Sequence, residues 1–138
     1  MKLDLILRVT TKLILPFMLL FALYVQFHGD YGPGGGFQAG VIAAGMIILY
    51  SLVFGLRAAQ RVVSMSLVQR LIPLGALLYL GVGVVSMMQG GEFLNYSVLA
   101  SDPVKGQHEG ILLVELGVLV TVASTMVGIF YAFVERGR

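Results

Sequence analysis

The sequence predicts an all-α integral membrane protein with four transmembrane helices, and three observations carry that reading. Hydrophobic residues make up 58% of the chain and charged residues only 12%, about half the charged share of an ordinary soluble domain. Four stretches of roughly 20 residues run almost free of charge, which is the length a helix needs to cross a bilayer. The basic residues mark the ends of those stretches and form no stripe with interleaved aromatics, so the net charge of +2 does not point to nucleic acid.

The first apolar stretch, about residues 9–27, is interrupted only by Lys12 and Pro16. Asp4, Arg8 and Lys12 are four residues apart, so they share one helix face, and the two basic side chains can reach back to the interface. The chain then breaks at His28–Gly40, HGDYGPGGGFQAG, which holds six of the eighteen glycines. Pro33 fixes its own φ, and Gly34, Gly35 and Gly36 accept backbone angles closed to other residues, so a sharp turn with bare backbone is expected. Gly34, Gly36 and Ala39 formally fit a dinucleotide-binding fingerprint, but that motif must follow a strand, and here a helix-length apolar run precedes it.

The second stretch, residues 37–56, has no charge at all. Gly36, Gly40 and Ala43 form a small-xxx-small face on which another membrane helix can approach closely. The third, residues 71–88, is also uncharged and places Pro73 in its first turn, where a missing N–H does little harm. Residues 57–70 are expected to be a loop.

The fourth stretch, residues 110–134, carries a single charge, Glu115. Gly110, Gly117, Thr121, Ser124 and Gly128 fall on one face, while His108, Leu112, Glu115, Leu119 and Met126 lie on the opposite one. A carboxylate should not face hydrocarbon, so both faces must be covered. Four helices are expected to be too few for this, leaving a neighbouring protein of a larger complex to shelter Glu115.

Eight of the nine Lys and Arg residues flank the stretches on one side, with Lys105 alone on the other, which predicts that both termini and the 57–70 loop are cytoplasmic. The Gly-rich break and residues 89–109 then face outward. The chain is read as a single membrane domain over residues 1–138.

Chemistry is sparse. The chain has no cysteine, so thiolate and Cys-based metal chemistry are absent. His28 and His108 are expected in separate loops without metal-ligand spacing, and no nucleophile elbow occurs, so neither a metal site nor an enzyme is predicted. Glu115 has two readings, a station for a transported cation or a carboxylate that packs against a neighbouring helix. His28, Asp30 and His108 are candidates for leading cations toward it. Apart from Glu115, the apolar stretches offer only hydroxyls such as Thr10, Thr11, Ser51, Ser86, Thr121, Ser124 and Thr125. A route across roughly 30 Å of hydrocarbon needs more than that, so the chain is not a complete transporter.

The stretch Gly32-Pro33-Gly34-Gly35-Gly36-Phe37-Gln38-Ala39-Gly40, opening a second transmembrane helix in so short a chain, resembles the signature of the MrpB (also called MnhB) component of Mrp-type multisubunit sodium/proton antiporters. Val114-Glu115-Leu116-Gly117-Val118 resembles that family's acidic-x-Gly-Val step, with Glu115 where many members have Asp. The likeness extends over nearly the whole chain. It implies an accessory component of a bacterial cytoplasmic-membrane complex, with the A, C, D, E, F and G components of the Mrp antiporter as partners. It also implies transported Na+ and H+ rather than a bound cofactor. Pro33, Gly34, Gly35, Gly36, Phe37, Gly40 and Gly117 would be the structural motif residues. The alternatives are a purely structural component, or the equivalent component of a membrane-bound hydrogenase or complex I-like pump.

Overall fold

The computed structural model of the chain describes residues 2–28, 35–91 and 103–137, and all the described regular structure is helical. Helix α1 spans Lys2–His28, α2 Gly36–Phe54, α3 Leu56–Val62, α4 Met65–Met88 and α5 Pro103–Arg136. Four of them, all but α3, contain windows long and apolar enough to cross a membrane, in agreement with the four predicted spans.

The order of the helices in space is not their order in the chain. Helix α5 lies between α2 and α4, α1 packs on α2, and α1 barely touches α5. Close approach explains why α5 takes the central place. Gly36 and Gly40 on α2 face it from one side, and Gly75 on α4 faces its Gly117 from the other. Without side chains at these points, helix backbones come near enough for dispersion contacts over their whole length, which drives association where lipid removes the hydrophobic incentive. The predicted small-residue face of α5 is therefore its contact with α4: Gly128 meets Val68, and the Thr121 hydroxyl donates to the carbonyl of Ile72 at 3.2 Å.

Three boundaries differ from expectation. Residues 57–70 are not one loop, because Gly55 at φ +101° breaks the chain after α2 and a further seven-residue helix follows. Helix α3 buries Leu56 and Ala59 while Arg57 and Arg61 stay exposed, a pattern too short to register as a period. Helix α4 begins at Met65, where Ser64 caps it by accepting a hydrogen bond from the N–H of Leu67 at 3.1 Å. Pro73 thus sits inside the helix, not in its first turn. Helix α5 starts at Pro103, ahead of the apolar stretch, so His108 belongs to a helix. His28 likewise closes the last turn of α1, where its ring stacks on Tyr24 with centroids 5.1 Å apart.

The apolar core gathers at the end of the bundle holding α3. Ala44, Leu56, Ala59, Val68, Val127 and Tyr131 are buried there. The Tyr131 hydroxyl donates to the carbonyl of Val63 at 2.9 Å, tying α5 to the α3–α4 junction. Gln60 of α3 donates to Glu135 at the end of α5. Arg8 and Lys12 do share a face, with both cationic heads near the ring of Phe54, 5.9 and 5.5 Å from its centroid.

Candidate functional site

At the opposite end of the bundle α1 finishes, α2 begins and α5 passes between α2 and α4. The glycines decide what happens there. Gly35 caps α2 with φ +140°, a conformation side chains rarely adopt, and its N–H donates to the carbonyl of Val25 in the last turns of α1 at 3.2 Å. Its carbonyl in turn accepts from the N–H of Ala39 at 3.0 Å, starting the helix. One glycine thus joins the end of α1 to the start of α2.

Glu115 meets that junction. A Cβ placed on Gly35 would lie 3.2 Å from Glu115 Oε1, and one on Gly36 would collide with the Glu115 backbone carbonyl. The side chain of Glu115 is half-buried, its carboxylate laid against the first turn of α2. The N–H groups of a helix's first turn and its dipole make that end positive, so a carboxylate there has its charge partly compensated. One turn further on, a Cβ at Gly40 would stand 2.9 Å from Val122 Cβ and 3.0 Å from the Leu119 carbonyl. The Glu115–Leu119 face of α5 is therefore covered by α2 of the same chain. The expectation that only a neighbouring protein can shelter this face is corrected: two faces of α5, two helices and two sets of glycines meet within 138 residues.

The other candidates fall apart into separate places. Gly35, Gly36, Gly40 and Glu115 come together at the junction, whereas Gly117 serves the α4 contact. Phe37 points outward and is 61% exposed. His28 is half-buried against Tyr24. His108 lies two turns before Glu115 along α5, about 10.5 Å by helical rise. Asp30, Pro33 and Gly34 lie outside the described residues, as does the side chain of His108. Among the described residues no three carboxylate or imidazole groups converge.

The hydroxyls of the spans are occupied locally. Ser86 donates to the Val82 carbonyl at 3.0 Å, Ser124 to the Val120 carbonyl, and Thr121 to Ile72. They satisfy backbone carbonyls and form no chain of polar stations.

Sequence reasoning missed Gln26. Thr11, Leu15, Met18, Ala22 and Gln26 recur at helical spacing and form the inward stripe of α1, and Gln26 at its end is fully buried. Polarity within that stripe was the signal available.

These features define a class: a polytopic helical membrane protein whose central helix carries one acidic residue, held against a helix start opened by glycine. The chain belongs to the family of domains related to the MnhB subunit of Na+/H+ antiporters, whose family model matches residues 6–128. It is 31% identical over 133 residues to the Na+/H+ antiporter protein of the same family, the B component, from Bacillus subtilis, a match covering 89% of this chain and 92% of that protein. It is 33% identical to the putative antiporter subunit mnhB2 of Staphylococcus haemolyticus, over 94% of this chain and 93% of the other. The mnhB2 protein of Staphylococcus aureus strain Newman is 35% identical over 90% of this chain and 89% of its own length.

Proposed function

We propose that this protein is an accessory subunit of a multisubunit Na+/H+ antiporter in the bacterial cytoplasmic membrane, and that Glu115 is a station on a cation path where it meets its neighbours. The partners are the A, C, D, E, F and G components of such a complex. Both termini and α3 lie on the cytoplasmic side, in keeping with the eight basic residues there, and the Gly35–Glu115 junction faces outward.

The observation that carries the reading is the Glu115 carboxylate laid against the Gly35–Gly36 start of α2. A carboxylate alone in hydrocarbon would bind a proton or sodium ion too firmly to release it. Beside the positive end of a helix its pull is moderated, and conduction requires binding strong enough for an ion to arrive and weak enough for it to leave. The hydroxyls of the spans are tied to their own backbones, which supports a contributor to a path shared with other proteins of the complex.

Replacing Glu115 by Gln in the assembled complex tests this. Sodium/proton exchange in vesicles should fall sharply while the complex still assembles on native gels. Exchange at the parental rate reduces Glu115 to a packing residue. The glycine contacts on both sides of α5 favour a purely structural role as the second reading, under which glycine substitutions abolish assembly and Glu115→Gln is silent.

A further inference from the structure

Gln26 is the one buried side chain among the described residues whose polar atoms, Oε1 and Nε2, both meet no hydrogen-bond partner. It is fully enclosed by its own chain, at 0% exposure, on the α1 face that packs against α2. Ala22 one turn before it and Ala39 in the first turn of α2 are buried with it. Buried amides are nearly always paired, and hydrocarbon around the bundle offers no alternative partner. Leucine would fill this seam without that penalty.

The chemistry of the amide selects what completes it. Nε2 has two protons to donate and Oε1 two lone pairs to accept with. A bare cation satisfies the oxygen only, and an anion the nitrogen only. A side chain from another protein cannot reach a fully enclosed group without prying α1 off α2. Water both donates and accepts, and buried waters bind where a protein leaves polar atoms otherwise unmet.

Position gives this water a role. Val25, next to Gln26 in the chain, accepts the Gly35 N–H, and the far side of Gly35 is occupied by the Glu115 carboxylate. A single glycine lies between the stretch of backbone bearing the amide and the acid. We propose that Gln26 holds an ordered water inside the α1–α2–α5 junction, and that this water hydrates Glu115 and exchanges protons with it. A proton arriving as hydronium passes to the carboxylate, leaving water and a neutral carboxylic acid; the reverse step releases it. The role in proton exchange rests on Glu115 being a transport station, whereas the water site does not.

Two measurements on the assembled complex test the proposal. A cryo-electron-microscopy map resolving ordered water should show density within hydrogen-bond distance of the Gln26 amide. Either a dry amide or one bonded to another protein group overturns the water site. In vesicles, Gln26→Leu should assemble and exchange sodium for protons severalfold more slowly, with Gln26→Asn, which keeps the amide, recovering part of the rate. Parental exchange by Gln26→Leu overturns the role in proton delivery. If Gln26→Leu does not assemble, Gln26→Met takes its place under the same criteria. A silent Glu115→Gln with water present at Gln26 defeats the transport reading alone. An inactive Glu115→Gln beside a silent Gln26→Leu defeats the proton-delivery role alone.

Discussion

Gly75 and Gly117 are set against each other across the α4–α5 contact: a Cβ on Gly117 would come to 2.8 Å from the Gly75 carbonyl, and one on Gly75 to 2.6 Å from the Gly117 carbonyl. Neither helix can give way without moving backbone, because both obstacles are main-chain atoms. Gly117→Ala or Gly75→Ala should each destabilise the protein by about 1–3 kcal/mol, the usual cost of overpacking. Gly81→Ala, where the added methyl meets open space, should leave stability near the parental value. Thermal unfolding in detergent, followed by circular dichroism, separates the three; equal midpoints would mean that α4 and α5 are not in this register.

The α2 side of α5 makes a second demand. Gly36→Ala drives a methyl into the Glu115 carbonyl, and Gly35→Ala must hold φ +140° with a Cβ 3.2 Å from Glu115 Oε1. Both should lower the amount of assembled complex on native gels. Gly45→Ala, with nothing near its Cβ, isolates the effect from that of any added methyl on the same helix. Normal assembly and exchange by Gly36→Ala would remove α2 from the Glu115 site.

Tyr131 is buried, and its hydroxyl is spent on the Val63 carbonyl between α3 and α4. Tyr131→Phe keeps the ring and leaves that carbonyl unmet, at a cost of about 0.5–1.5 kcal/mol. The expected outcome is a lower unfolding midpoint with exchange per assembled complex unchanged, since the junction at Glu115 is at the other end of the bundle. A loss of exchange at unchanged stability would show coupling between the two ends.

Orientation can be read by labelling, because the chain has no cysteine of its own. Arg61→Cys on α3 and Gln89→Cys at the end of α4 are both at exposed positions. A membrane-impermeant maleimide added to intact cells should label the cysteine at 89 and spare the one at 61. The reverse pattern would invert the positive-inside assignment.

Much of this protein was legible in one dimension. The absence of charge from four long stretches fixes four spans, since hydrocarbon penalises charge residue by residue and no fold is needed to see it. The glycine faces of α2 and α5 were likewise visible, because helical phase alone places Gly36 with Gly40 and Gly117 with Gly128. Which helix fills which face was not, since phase gives direction and not partner. Only the three-dimensional structure inserted α5 between α2 and α4 and brought Glu115 onto Gly35 and Gly36, eighty residues away in sequence. It also decided that Gln26 is enclosed, because whether an amide near a helix end reaches water depends on what packs beside it and not on its own type. Local composition is written in the chain, whereas contact between distant segments follows from the one packing that lets every backbone approach where a side chain is missing.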